Sequence, residues 1–207
     1  MKEVVLIGYS GHAHVVYDIL KGMGRTIIGY CDLHKKEDNH DGIIYFGNEN
    51  DEDVLNKLKE YDCFVSIGNN QIRGVVSKYL TENGINLINA IHPSAIVSDF
   101  SSLGFGVMIG PNSVINARSN IGNGVICNSG SILEHDTHIG EYCHVAPGAI
   151  LCGGVRLGNF TLIGSGAAVA PNVSIGLDVI VGIGTVVIQN INDNLKVVGN
   201  PQRYIHE

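Results

Sequence analysis

The chain has 207 residues, enough for one large or two small domains, with 16% charged residues, no tryptophan and a net charge of −7. No basic stripe suits it to nucleic acid, and no apolar run approaches the ~18 residues that a membrane-inserted helix needs. Glycine is 27 of 207, well above the usual ~7%, but the absence of a G-x-y period excludes a collagen-like chain.

Val4-Val5-Leu6-Ile7 is predicted as a buried strand rather than an export signal, because it runs into the glycine turn Gly8-Tyr9-Ser10-Gly11-His12 and no processing site follows. A helix is expected from about Ala13 to Lys21, with Val15, Val16, Ile19 and Leu20 on its apolar side. Thr26 to Tyr30 reads as a second strand, ended by Cys31-Asp32, and His34 to Gly42 as an exposed loop. Cys63 to Ile67 reads as another strand, followed by Gly68-Asn69-Asn70 and a helix whose apolar residues are Ile72, Val75, Val76 and Leu80. Ile85 to Ile91 is the last strand predicted before His92-Pro93. Strand, glycine turn, helix, strand is a βαβ unit, so residues 1–90 are expected to form an α/β Rossmann-like domain. The five cysteines make no C-x-x-C pair, and their odd number reads as reduced thiols in a cytosolic protein.

Gly8-x-x-Gly11 before a helix N-terminus can present backbone N–H groups to phosphate, and Asp32 stands where such folds hold a ribose or base. The turn departs from G-x-G-x-x-G and lacks the third glycine, which opposes NAD and leaves a nucleotide or nucleotide sugar. Gly68, Asn69 and Arg73, after another strand, could add phosphate or uracil contacts, although Arg73 alone could equally be a surface residue.

From residue 91 to residue 187 an aliphatic residue, once a cysteine, occupies every sixth position: Ile91, Val97, Leu103 and onward to Val181 and Val187. From Val97 onward, Ala, Ser, Thr, Val or Cys precedes each by two, and glycine often follows. Period six matches neither helix nor ordinary strand, but it suits a three-sided coil with one inward residue per side and glycine at the corners. Such a unit cannot bury its own apolar side and must stack on its copies. Residues 91–207 are therefore expected to form a left-handed parallel β-helix of hexapeptide repeats with a C-terminal tail, and a triangular prism suits trimerisation.

The repeat changes character in the segment CNSGSILEHDTHIGEYCHVAPGAILCGG, which begins at Cys127. His135 beside Asp136 or Glu134 offers an imidazole whose tautomer and basicity a carboxylate can set. His144 lies nearby in sequence, and nothing distinguishes His138. A zinc site from Cys127, His135, Cys143 and His144 is disfavoured because both cysteines occupy inward positions. A serine hydrolase is disfavoured for a similar reason: of Ser129 and Ser131, the second also points inward.

The opening GYSGHAHVVYDIL, the junction HPSAIVS, the segment from ILEHD to VRLG and the ending VVGNPQRYI resemble the two-domain, hexapeptide-repeat acyltransferases. The resemblance is to the bacterial branch containing sialic acid O-acetyltransferases and nucleotide-aminosugar N-acetyltransferases, and it spans essentially the whole chain. It implies transfer from acetyl-CoA, without a metal, to the C4 amine of a nucleotide-linked, UDP-favoured 4-amino-4,6-dideoxy sugar in the bacterial cytoplasm. The alternative it leaves is O-acetylation of sialic or another nonulosonic acid. It implies a homotrimer with active sites between subunits, with His135 as base, Asp136 as its acidic neighbour and His144 near the thioester. It further implies coenzyme A along His144, Gly153, Ser165, Gly166, Ala168 and Gly182. The sugar nucleotide would lie near Gly8, Ser10, Gly11, His12, Asp32, Gly68, Asn69 and Arg73.

Overall fold

The computed structural model describes residues 2–39 and 41–205. The first unit contains β1 (Val4–Ile7), α1 (Gly11–Gly22), β2 (Ile27–Cys31), β3 (Ile44–Gly47), α2 (Glu52–Leu58), β4 (Asp62–Val65), α3 (Asn70–Glu82) and β5 (Asn86–Leu87). Its strands form one parallel sheet in the order β3-β2-β1-β4-β5. Every residue of β1 and β4 is buried, as expected of central strands covered on both faces. Strand order reverses at β1, which pairs β2 on one side and β4 on the other, so a crevice opens beyond its C-terminal end.

Several sequence expectations are corrected here. β3 and α2 were not anticipated, because β3 is a partly exposed edge strand and α2 is only 7 residues long. The strand expected over 85–91 divides: Asn86–Leu87 pairs with β4, whereas Ala90–Ile91 pairs with Met108–Ile109 in the β-helix. The expected loop at 34–42 is irregular and largely exposed, with residue 40 outside the described residues. On α3, Ile72 and Val75 are exposed at 53% and 71%, while Arg73, Gly74 and Ser77 are buried. The physical reason is that α3 also packs against the second unit: a Cβ on Gly74 would stand 2.7 Å from the Phe160 ring.

In the second unit each strand from Ala90–Ile91 to Val186–Val187 is two residues long, and its partner stands eighteen residues away, as Val114 with Ile132 and Ile121 with Ile139. Eighteen residues make three sixes, one per side, and the sides form sheets of eight, six and five strands. The second residue of each strand enters a continuous aliphatic core running from Ile109 to Val187 and beyond. Small inner residues stack with it and hydrogen-bond within the prism: Thr137 Oγ1 donates to Ser119 Oγ at 2.9 Å, and Ser113 Oγ to Asn128 O at 2.7 Å.

Every sixth residue from Gly106 to Gly184 has positive φ, including Asn112, Asp136, Asn172 and Asp178, residue types that tolerate the left-handed region. These corners fall three places after the inward aliphatic. The glycine directly after the aliphatic, read above as the corner residue, serves another purpose. A Cβ on Gly110 or Gly122 would stand 2.8 Å from the backbone nitrogen of Ser129 or Glu141 in the next coil. Close stacking of coils, rather than corner dihedrals, requires glycine there.

The outward residues make the three sides chemically distinct. On the eight-stranded side, Ala90, Met108 and Ile126 pack into one core with Tyr9, Ala13 and Val16 of the first unit. The five-stranded side presents Ser102, Asn120, His138, Arg156 and Ser174. The six-stranded side presents Ile96, Val114, Ile132, Ile150, Ala168 and Val186, an unbroken apolar column.

Candidate active site

The turn after β1 meets the end of β2. Gly8 adopts φ 87°, and a Cβ there would lie 2.6 Å from Ile67. Tyr9 N–H donates to Asp32 Oδ2 at 3.0 Å, and Lys36 Nζ reaches Asp32 Oδ1 at 3.0 Å. Ser10 is the N-cap residue of α1. A cleft of about 510 Å³ is bordered by Gly8, Ser10, Asp32, Glu49, Gly68 and Asn69, so the expected nucleotide-binding segments converge. Asn69 caps α3 by accepting Ile72 N–H at 3.0 Å. Gly11 starts α1, on the exposed side of the turn.

Arg73 does not stand where a ligand could reach it, and the expectation that it contacts phosphate or base is corrected. It is 1% exposed, and all three guanidinium nitrogens are engaged. Nε donates to Gly124 O at 2.7 Å, Nη1 to Ile67 O and Gly68 O, and Nη2 to Asn70 Oδ1, Tyr142 O and Cys143 O. One cation thus ties the Gly68 loop to two corners of the β-helix.

A second cleft of about 240 Å³ shares Gly68 and Asn69 with the first and continues to His144, Phe160 and Asp178. The His12 and His144 rings face each other across the junction between the units, with centroids 6.5 Å apart. Burial first, and the Arg73 charge second, push both imidazoles down to about 4, so both are neutral near pH 7. Asn128 Nδ2 lies 3.2 Å from His144 Nε2, and as a donor it leaves the ring proton on Nδ1. His12 Nε2 is buried and without a partner among the described residues.

His135 lies elsewhere. It follows Ile132–Leu133 at the corner leaving the six-stranded side, whereas His144 is on the eight-stranded side. Nine residues carry the coil from one to the other through one and a half of its sides, so the two histidines of one chain stand apart. At this corner Asp136 adopts φ 58° and its Oδ2 stands 2.8 Å from His135 Nδ1. The hydrogen bond with His135 holds the Asp136 carboxyl below its usual range, aided by the charges of Arg118 and His138. Glu134, the other carboxylate beside His135, accepts instead from Asn116 Nδ2 at 2.9 Å. The imidazole lies over Gly153, where a Cβ would come within 2.6 Å of Cε1.

Of the other expected coenzyme positions, Ser165, Gly166 and Gly182 lie on the edge between the eight- and six-stranded sides, and Ala168 on the six-stranded side itself. With Gly153 on the opposite edge, they flank the apolar side, and none borders the two clefts. Cys127 and Cys143 are inside the prism, where burial pushes both thiols up to about 12, the reverse of a metal-ligating thiolate. Sequence reading missed Glu49, Asn128 and Arg118. The eighteen-residue stacking that joins Asn116 to Glu134 also sets Arg118 beside Asp136, 3.9 Å away, so that partner was available from the repeat.

Residues 3–80 match the PglD N-terminal domain family. Over 112 residues the chain is 34% identical to a UDP-N-acetylbacillosamine N-acetyltransferase of Bacillus subtilis (strain 168); the match covers 53% of this chain and about half, 51%, of that protein. The solved structure of PerB from Caulobacter crescentus, in complex with CoA and GDP-perosamine, is 37% identical and superposes with a TM-score of 0.92, covering 100% of this chain and 98% of that one. The acetyltransferase domain of PglB from Neisseria gonorrhoeae FA1090, in complex with acetyl coenzyme A, is 30% identical with a TM-score of 0.92, covering 99% of each chain. With this fold, its glycine turn and its hexapeptide coil, the chain belongs to the left-handed β-helix, hexapeptide-repeat acetyltransferase family of amino-sugar N-acetyltransferases.

Proposed function

We propose that this chain is a cytoplasmic, acetyl-CoA-dependent N-acetyltransferase acting on the C4 amine of a nucleotide-linked 4-amino-4,6-dideoxy sugar, and that it works as a homotrimer. The observation that carries the reading is the separation of two prepared half-sites. The nucleotide cleft runs toward His144 on one side of the prism, while the His135–Asp136 pair stands on a corner across from it. The corner borders the apolar column from Ile96 to Val186, the surface through which a second copy would dock. Docking there would set one copy's His135 beside the neighbour's His144 cleft, with coenzyme A in the groove between them. The relatives complexed with CoA, acetyl coenzyme A and GDP-perosamine support this substrate class.

The chemistry then needs no acyl-enzyme. The neutral amine attacks the thioester carbonyl, and His135 Nε2, unprotonated because Asp136 holds the proton on Nδ1, takes the proton shed as the C–N bond forms. The same proton leaves with the coenzyme thiolate as the C–S bond breaks. A base so placed contributes about 10²–10⁴-fold. The His144 Nδ1–H and the Gly153 backbone N–H are the proposed donors to the tetrahedral oxyanion, each worth roughly 3–4 kcal/mol if well aimed. No described helix is long and apolar enough to cross a membrane.

A thiol-release assay against UDP-, GDP- and dTDP-linked amino sugars and against free and activated sialic acids tests the reading. Release is expected with a nucleotide-linked amine. Release with a sialic acid hydroxyl, and none with any amine, would replace N-acetylation by O-acetylation.

A further inference from the structure

Helix α1 has an exposed stripe that its own chain leaves uncovered. Gly11, Val15, Asp18 and Gly22 recur at helical spacing and are all exposed, whereas Ala13, Val16, Ile19 and Leu20 are buried on the other face. The stripe has a definite direction. A Cβ on Gly22 would stand 3.3 Å from Pro93, which lies on the edge between the eight- and six-stranded sides. It therefore flanks the apolar column from Ile96 to Val186. The Asp18 carboxylate has no hydrogen bond or ion pair among the described residues.

The opposite edge of that column carries the complement. Phe100, Arg118 and Asp136 stand on one corner in three successive coils, and Arg118 N–H donates to Phe100 O at 3.1 Å. Phe100 is 81% exposed. The Arg118 side chain is 80% exposed, with Asp136 beside it at 3.9 Å.

The two edges also match in height. Helix α1 begins where His12 faces His144 and ends at Met23, whose Sδ accepts from Ile91 N–H at 3.2 Å. It thus runs down the eight-stranded side, about 16 Å of helix over three steps of about 4.8 Å. Asp18, midway along, is level with the coil between Met108 and Ile126, which contains Arg118. Gly22 is level with the coil below, which contains Phe100. Rotation about an axis parallel to the prism preserves height, so a neighbour's corner meets α1 at those levels. The same register sets His135, nearly one coil above Arg118, level with the first turn of α1 and the mouth of the nucleotide cleft.

Resting on the reading of the chain as a homotrimer, we propose that α1 is a docking surface for a second copy. The Phe100–Arg118 corner of one protomer lies along the Gly11–Gly22 stripe of the next, Arg118 pairs with the Asp18 of that protomer, and the Phe100 ring covers its Gly22. The unit that holds the nucleotide thereby grips the corner that carries the partner's base. Charge and shape both favour this occupant: an unpaired carboxylate meets an exposed guanidinium, and a side-chain-free patch meets an exposed ring.

The test is a charge swap read by sedimentation velocity on the full-length protein. Assembly is the readout rather than turnover, because Arg118 also neighbours Asp136. Asp18→Arg and Arg118→Asp each set like charges face to face at three contacts per trimer. Each should raise the concentration at which the trimer half-dissociates by about tenfold or more. The double variant Asp18→Arg, Arg118→Asp should return it to within about threefold of the parent, with circular dichroism unchanged throughout. Single variants that assemble like a trimeric parent, or a double variant that fails to recover, overturn the Asp18–Arg118 contact and leave the homotrimer intact. A parent that sediments as a monomer overturns both.

Discussion

Asp136 and His135, adjacent in sequence, meet Oδ2 to Nδ1 at 2.8 Å because the corner places Asp136 in the left-handed region at φ 58°. If this pair is the base, His135→Ala should lower kcat by about 10²–10⁴-fold. Asp136→Asn should lower it less. The side chains stand on an exposed corner, so thermal stability and sedimentation should match the parent protein. A His135→Ala protein within about threefold of parental kcat removes the imidazole from the mechanism.

Gly153 is the floor under that imidazole. A methyl group there would stand 2.6 Å from His135 Cε1, and because the ring is exposed it can swing away rather than strain the coil. Gly153→Ala is therefore expected to leave the melting temperature within about 2 °C of the parent while lowering kcat by about tenfold or more. Steady-state kinetics alongside a thermal melt checks this. Unchanged kcat would show that the ring position seen here is not the working one.

Arg73 joins the two units through backbone carbonyls of both, so its removal should register as lost stability. Arg73→Leu removes the donors to Gly124, Tyr142 and Cys143 and leaves their oxygens buried; about 2–4 kcal/mol of unfolding free energy should disappear in a urea titration. Arg73→Lys should recover only part of it, since one ammonium cannot span three directions. If either variant unfolds with parental stability, the cation is not the tie between the units.

The prism was legible because its signal is geometric: an inward aliphatic every sixth residue admits few other folds. The corners were only half legible. Asn, Asp and Gly at positions 112, 136 and 184 mark them, but Tyr142 and Phe160 occupy the same dihedral and carry no such mark. What failed was whatever depended on one unit packing against the other. The face of α3 could not be read from its apolar residues because a second surface, carrying the Phe160 and Tyr142 rings, presses on Gly74 and the Arg73 guanidinium. Nine residues, the sequence distance from His135 to His144, is half of the eighteen-residue coil and so the longest separation around its section.

His12 and His144 set a pH dependence whose sign follows from their shifts. Both are lowered from 6.5 to about 4 in the folded protein, mainly by burial, so between those values the unfolded chain binds more protons than the native one. Stability therefore rises with pH through that window and is lost on acidification, by on the order of 2 kcal/mol per ring at about pH 4.5. Urea unfolding at pH 7 and pH 5 should show the loss, and His144→Gln should flatten the slope. A midpoint that does not move between those pH values would mean that the rings are already solvated.

The apolar column on the six-stranded side tests the assembly separately from the chemistry. Ile132 and Ile150 are stacked neighbours pointing outward from the prism, so Ile150→Lys adds a charge to the proposed interface without touching the aliphatic core. Sedimentation velocity should show a trimer for the parent and a smaller species for the variant. Because the nucleotide cleft belongs to a single chain, nucleotide binding should persist in the dissociated variant, whereas acetyl transfer should fall about 100-fold or more as His135 loses the neighbouring cleft. A parent protein that sediments as a monomer and still turns over would require a way for one chain to bring together a corner and a cleft that its own coil holds apart.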